Sequence, residues 1–508
     1  MFTTTLSIAP EEYWYGLAVL EGGRFPLHAG SEYRYSIDPN PGDNQAAPLL
    51  LSSQGRYLWS SHGFALEAAN GQLTASSAKA EIVLGQGGQT LREAFCAAAQ
   101  KHIKPNGKLP PLDFFQKPQY NSWIELIYNQ NQQDILTYAR QIVDNGLPPG
   151  ILMIDDSWAE YYGRWEFNRR TFPTPREMVE QLHNMGFTVM LWVCPFVSPD
   201  SLEFRQLEAQ GLLVRDAQGQ TAIRSWWNGW SAVLDMSNPQ AAHWLEQQLR
   251  HLMQAYGVDG YKFDAGDALF YRDDDQTYAP TDANGQTALW AQFGQRFAYN
   301  EFRAGFACQG VELVQRLADR THSWDSTGLA SLVPNQLAQG ILGYAFTCPD
   351  MIGGGQYGSF VADSFSLDEE LFVRYAQCSA LMPMMQFSAA PWRVLSPPNA
   401  GLCIAAAALH HRFAATIVAL ARQAAVSCEP IVRYMEYQFP HQGLADVTDQ
   451  FMLGEDILVA PVLRKGDTGR RVRLPAGSWR YCDGTVFAGG QTVQVAAPLD
   501  VLPYFEAL

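Results

Sequence analysis

The residues with the clearest chemical potential are charged groups at the ends of apolar runs. In Gly257-Val-Asp-Gly-Tyr-Lys-Phe-Asp-Ala-Gly-Asp267, Lys262 and Asp264 close a short apolar segment, and Ala265-Gly266 opens a turn. A strand buried on both faces is near-continuously apolar, so charges at its C-terminal end are costly unless they have a use. Comparable run ends carry Asp155 and Asp156, Trp192, Asp319 and Asp350, with Arg303 between them in the chain. Two carboxylates facing one another across a cleft suit acetal cleavage. One attacks or stabilises the anomeric carbon while the other protonates the leaving oxygen. The competing reading of Lys262 and Asp264 is a buried ion pair that serves structure only. The ten His show neither H-x-H nor H-E-x-x-H spacing, and no G-x-S-x-G elbow occurs. No metal, no cofactor and no serine nucleophile are therefore expected.

The elements that must position these residues follow from periodicity. Residues 1–112 carry short alternating segments such as Tyr33-Arg-Tyr-Ser-Ile37 and Arg56-Tyr-Leu-Trp-Ser60, separated by Gly, Pro and Asn. They predict an N-terminal antiparallel β domain, sandwich-like in character. Over 113–424 strands alternate with helices. Strands are expected at Asn121–Glu125, Gly150–Asp155, Thr188–Val193, Gly260–Asp264, Glu312–Leu317, Leu342–Thr347 and Met382–Gln386, and an Ala-rich helix at Ile404–Gln423. Repeated βα units of this size predict a (β/α)8 barrel, an α/β fold whose site lies on the loops after the strands. A doubly wound open sheet is the alternative, but no Gly-rich dinucleotide fingerprint is present. Residues 425–508 return to short strands with Gly turns, a C-terminal β domain.

Composition narrows the partners. A net charge of −16 argues against nucleic acid and anionic membranes. The eight Cys are scattered without C-x-x-C spacing, as suits free thiols in a reducing compartment. The first residues lack a signal-peptide pattern, and no run is expected to reach transmembrane length. A cytoplasmic protein is expected, and a homo-oligomer stays open.

The motifs together resemble glycoside hydrolase family 31, retaining α-glycosidases built on a (β/α)8 barrel flanked by β domains. The resemblance runs from about Pro118 to the C-terminus. It is carried by Asp155-Asp-Ser-Trp158, Met190-Leu-Trp-Val-Cys-Pro195, Trp227-Asn-Gly-Trp230 and the residues to Pro239, Lys262-Phe-Asp264, Ala318-Asp-Arg-Thr-His-Ser-Trp-Asp325 and Pro349-Asp-Met-Ile-Gly-Gly354. It implies Asp264 as nucleophile and Asp319 as acid/base. Arg303, sixteen positions before Asp319, matches the family's sugar-binding arginine. Trp227 matches an aromatic wall, and Asp156 the carboxylate that grips hydroxyls remote from the reacting carbon. Trp192 and Asp350 are implied as pocket walls.

The departures carry information too. Many α-glucosidases of the family have Trp where this chain has Lys262, and an aromatic ring where it has Gly354. Lys-x-Asp together with Asp-Asp-x-Trp also resembles the α-galactosidases of families 27 and 36, in which the Lys and the paired Asp residues, here Lys262, Asp155 and Asp156, hold the sugar hydroxyls. An axial 4-hydroxyl needs a polar partner where an equatorial sugar leaves room for a ring, and unpaired polar groups reject the wrong epimer. The expectation is a retaining exo-α-galactosidase acting on a small carbohydrate. An α-glucosidase, α-xylosidase or other α-glycosidase of the family is the alternative enzyme, and a catalytically silent sugar-binding protein the alternative of a different class.

Overall fold

The computed structural model describes residues 1–362 and 367–508. Its centre is one parallel sheet of eight strands: β1 Gln119–Asn121, β2 Ile151–Ile154, β3 Thr188–Val193, β4 Gly260–Phe263, β5 Tyr299–Phe302, β6 Val314–Arg316, β7 Thr347–Cys348 and β8 Gln386–Phe387. Neighbours run β7-β6-β5-β4-β3-β2-β1-β8. An isolated parallel bridge from Ile352 to Phe387 joins the ends and closes the barrel. In-register pairing of Trp192 with Lys262 and of Lys262 with Glu301 puts these three side chains on one face of the sheet.

The helix that feeds β4 shows how the sequence sets an element. Pro239–Tyr256 starts at Asn238, whose side chain accepts from the Gln240 N–H, and ends at Gly257, whose φ of 82° is the left-handed cap that glycine adopts freely. Ala241, Ala242, Leu245, Leu249, Leu252 and Tyr256 form its buried stripe at helical spacing. The chain then reverses directly into β4.

Several elements differ from expectation. β1 lies at Gln119–Asn121, and the chain bends after it into a helical turn at Trp123–Leu126. β6, β7 and β8 have two or three residues each where longer strands were expected. The apolar runs around them are buried from every side, so they carry no period that marks where pairing starts. The Ala-rich helix extends over Pro397–Ser427, 31 residues, and is long and apolar enough to cross a membrane by length and composition. Its buried positions recur every three or four residues through Cys403, Ala407, His410, Phe413, Ile417 and Ala421. This one-sided stripe seats it on the protein core.

Two four-stranded antiparallel sheets, Phe2–Ser7 with Tyr33–Ser36, Ala65–Ala69 and Gln72–Ser77, and Trp14–Ala18 with Ala46–Ser52, Arg56–Ser60 and Ile82–Gln86, lie before the barrel. A six-stranded antiparallel sheet and a two-stranded ribbon follow it, with Trp479, Phe505, Val472 and Leu474 in their own core.

Candidate active site

At the C-terminal ends of the strands lies a cleft of about 540 Å³. Asp264 stands on its floor, just past β4. Its Oδ1 accepts from Arg303 Nε at 3.0 Å and from the Ala265 N–H at 2.8 Å, and its Oδ2 from Trp192 Nε1 at 2.9 Å. Lys262 Nζ is 4.0 Å from the same Oδ2. Burial alone would raise the Asp264 pKa. Arg303, then Lys262 and Arg316, and the Trp192 N–H outweigh it and hold the carboxyl well below the usual carboxylate range. Beyond Asp264 the chain turns through Ala265 and Gly266, at φ of 53° and 74°. A left-handed non-glycine is strained, and such strain concentrates where a side chain must be aimed. Gly266 cannot be replaced without collision, because a Cβ there would lie 2.4 Å from Trp290 Cδ1.

Lys262 is 4% exposed and donates to Asp155 Oδ2 at 2.7 Å. Burial alone would lower its pKa, but Asp155 and Asp264 keep the ammonium raised. Arg303 chelates Asp267 through both terminal nitrogens, at 2.9 and 2.8 Å, and lies beneath the Trp227 ring with 5.4 Å between guanidinium carbon and ring centroid. Trp192 lines the cleft but is only 2% exposed, so it acts on Asp264 with its N–H edge more than it offers a face to a sugar.

Asp319 sits past β6 with its side chain 37% exposed. Arg316 Nη1 donates to Asp319 Oδ1 at 2.9 Å and to Asp350 Oδ1 at 2.8 Å. Asp350 is fully buried behind Arg316, and its Oδ2 takes the N–H groups of Arg320 and Gly355 at 2.6 and 2.7 Å. It is therefore not a cleft wall. Burial, then the Asp319 charge, push Asp350 up to about 7 against Arg316. The glycine pair after it is sterically required. A Cβ on Gly354, at φ 98°, would lie 2.7 Å from the Arg320 carbonyl oxygen, and one on Gly355 would lie 2.9 Å from Asp319 Oδ1. The missing ring at Gly354 is thus the condition for packing this loop against the Asp319 segment.

Asp156 forms the far end of the cleft. Both of its oxygens accept from Tyr162 Oη at 3.1 Å, and Oδ2 accepts from Asn228 Nδ2 at 2.6 Å. Burial, then the adjacent Asp155 charge, push its carboxyl up to about 7. The cleft thus brings together Asp155, Asp156, Trp192, Trp227, Lys262, Asp264, Arg303 and Asp319.

Several residues escape the sequence reading. Asn228 is one: with Trp227, already singled out in the sequence, it forms the tip of the hairpin of Ile223–Trp226 and Gly229–Val233. The Asn228-Gly229 pair is a turn signal that could have marked it. Arg316 was legible only as the strand residue before Asp319. Asp43 lines the cleft from the N-terminal β domain, and its neighbours Asn44 and Gln45 brace the site. Asn44 Nδ2 donates to the Arg303 and Arg316 carbonyls at 3.0 and 3.1 Å, while its Oδ1 accepts from the Ala318 N–H at 2.7 Å. Gln45 Nε2 donates to the same two carbonyls at 2.6 and 3.1 Å. The backbone segments that carry Arg303 and Asp319 are therefore fixed by another domain, a relation that no local pattern encodes.

Residues 113–413 match the model of the glycosyl hydrolases family 31 TIM-barrel domain, and 428–506 that of the family's C-terminal domain. The myogenesis-regulating glycosidase of Mus musculus is 33% identical over 418 residues, covering 79% of this chain and 57% of its own. A sulfoquinovosidase of Agrobacterium fabrum is 27% identical over 367 residues, covering 67% and 54%. The chain thus spans little more than half the length of these two relatives. Among solved structures, the Flavobacterium johnsoniae GH31 dextranase complexed with glucose shares the fold, with a TM-score of 0.87 at 20% identity over 99% of this chain and 66% of that one.

Proposed function

The chain belongs to glycoside hydrolase family 31, and from that premise we propose that it is a retaining, exo-acting α-glycosidase whose preferred substrates are terminal α-galactosides. The observation that carries the sugar assignment is Lys262. Its ammonium lies on the cleft floor, bonded to Asp155 and 4.0 Å from Asp264 Oδ2. Asp155 takes one of its three N–H donors, and the others can serve a sugar's 3- or 4-hydroxyl. A ring in that place would offer none. Of the relatives named above, one is called only a glycosidase and the others act on sulfoquinovosides and dextran by name, so the assignment rests on the chemistry of the cleft. An anionic sugar suits it poorly, because among the described residues six aspartates line the cleft against one lysine and one arginine, both already ion-paired.

The first step joins the anomeric carbon to Asp264 and breaks its bond to the leaving oxygen, which takes a proton from Asp319. Asp264 Oδ1 is held by two donors; Oδ2 has one and keeps a lone pair to attack with. In the second step Asp319 takes a proton from water, which displaces Asp264 and restores the starting configuration. Asp319, partly exposed at the rim, can meet both leaving group and water. The unpaired state of all eight cysteines suits the cytoplasm, where we place the protein.

A panel of aryl α-glycosides that differ in one epimeric centre tests the reading. The α-galactoside is expected to lead in kcat/KM by about tenfold or more, because a mismatched epimer leaves buried donors unpaired. A better α-glucoside or α-xyloside removes the galactose assignment and leaves the glycosidase. Silence on every member, with the sugars still bound, makes the chain a sugar-binding protein.

A further inference from the structure

Behind Asp156 lies a second cavity of about 530 Å³, which shares only Tyr128, Asp156 and Trp192 with the cleft. The partition between them is a hydrogen-bonded wall from three chain segments. Tyr128, past β1, donates its hydroxyl to Asn228 Oδ1 at 3.1 Å. Asn228, at the hairpin tip, donates to Asp156 Oδ2 at 2.6 Å and to Tyr162 Oη at 2.8 Å, and Tyr162 donates to Asp156. We infer that this wall is what confines the cleft to a terminal sugar, and that the cavity behind it, closed off in the natural sequence, becomes a subsite for a second pyranose, linked through the hydroxyl that Asp156 grips, once the wall is opened. The inference rests on the glycosidase reading above.

The lining supports that ligand class. Asn129, Asn131, Ser157, Asn168, Thr171 and Ser198 supply neutral polar groups, while the partly exposed Tyr161 supplies a ring. Among the described residues no Lys, Arg or His lines the cavity while Asp156 and Glu160 do, which disfavours phosphate or sulfate and suits a neutral polyol. Its volume falls in the range of about 300–1,000 Å³ usual for ligand sites. Trp165, 3% exposed, has an indole N–H with no partner at this wall, a donor available to a small shift of its surroundings. Ser157, next to Asp156, takes a left-handed φ of 77° and donates its N–H to the Asp156 carboxylate at 2.6 Å. A strained non-glycine thus aims Asp156 into the partition, as a site feature would require. Removing Asn228 would cut the bridge from Tyr128 to Asp156 and open one cavity to the other.

The test uses the full chain and two aryl α-glycosides of whichever epimer the panel prefers. One is the plain monoglycoside. The other carries a β-linked second pyranose on its 4- or 6-hydroxyl, a bond that a retaining α-glycosidase leaves intact. The natural sequence should release the aryl group from the first only. Asn228→Gly, a residue that hairpin tips accept, should release it from the second with the intact disaccharide as product, at least about tenfold above the natural sequence, which corresponds to one lost barrier of about 1.4 kcal/mol. Tyr128→Ala, at an exposed position, serves the same purpose if Asn228→Gly does not fold. Adding Ser198→Trp should fill the second cavity and abolish that gain, while Ser198→Trp alone keeps the natural monoglycoside rate. Disaccharide release by the natural sequence overturns the wall. No gain in either folded opened variant, or a gain that survives Ser198→Trp, overturns the subsite. Failure of the natural sequence on every monoglycoside instead overturns the glycosidase reading.

Discussion

Asp264 and Asp319 end neighbouring parts of one barrel, and each leans on an arginine, yet their surroundings differ sharply. Asp264 has its side chain 11% exposed and takes three donors, with Lys262 close by. Asp319 is 37% exposed and takes one donor, Arg316, which also faces Asp350 and Glu301. Around Asp264 two cations face three buried carboxyls, Asp155, Asp264 and Asp267. Around Asp319 a single guanidinium serves three. Burial still raises Asp267 despite its two bonds from Arg303, so cation supply outweighs burial at Asp264 itself and not across its whole side. Asp264 is well buried and held low, whereas Asp350 and Glu301, just as buried, are pushed up by that burial because Arg316 is divided among them. One side keeps a ready anion, the other keeps a proton within reach.

The strongest way to break this contrast is Asp264→Asn. Turnover should fall on the order of 10⁴-fold or more, because an amide cannot form the ester intermediate. A fluorinated slow substrate should label the peptide with Asp264 in the natural sequence and label nothing in the variant. Labelling elsewhere would reassign the nucleophile.

Asp319→Ala attacks the other side. Hydrolysis of alkyl glycosides should fall by about 10²–10⁴-fold, the usual worth of a general acid, while substrates with acidic leaving groups lose far less in the first step. Equal losses on both remove Asp319 from the acid role.

Lys262→Met sharpens the comparison by removing the cation between Asp155 and Asp264, although Glu301 feels its loss as well. It keeps the stem and deletes the donors, so kcat/KM should drop by about 2–4 kcal/mol for a buried charge-assisted bond, more for the α-galactoside than for the α-glucoside. Equal losses would mean that Lys262 only tunes Asp264. Unchanged rates would return it to a structural ion pair.

A smaller effect should come from Asn44→Ala, which touches both sides at once. Freeing the Arg303 and Arg316 carbonyls should lower kcat by about 10- to 100-fold through misplacement, for activated and unactivated substrates alike. Asn44→Asp, which keeps the acceptor for Ala318 but turns a carboxylate oxygen on the two carbonyls, should lose at least as much. A change in melting temperature without any change in kcat would make Asn44 purely structural.

The smallest effect is on stability with pH. Asp156 keeps a proton in the folded state up to about 7, whereas an unfolded aspartate releases it near about 4. The folded state therefore binds more protons between those values, and this contribution to stability declines as pH rises through that window and is flat above it. Asp264 runs the opposite way, adding stability above about 4 that is lost as pH falls. Asp156→Asn should flatten the decline of melting temperature from about pH 4 to about pH 7; an unaltered slope would remove Asp156 as its source.

Asp264 and Asp319 stood out in the sequence as candidates because a charge that ends an apolar strand breaks the pattern of its surroundings. Thr188–Val193 was legible for the opposite reason, as an unbroken β-forming run. What Trp192 does was not, since its residue type tells nothing of which edge faces Asp264. The family resemblance implies Asp350 as a wall, yet Arg316 and two backbone N–H groups draw it behind the cleft. Asn44 and Gln45 were silent, for their partners lie some 258 to 274 positions away and nothing periodic links the two regions.

The Asn44 brace bears on how this protein can be inherited or recombined. A barrel lifted out of its chain would carry both carboxylates and lose the residue that holds their backbones in register. Exchange of parts between relatives must therefore move the segment around residues 43–45 together with the barrel, as one hereditary unit interrupted in the gene by the rest of the β domain.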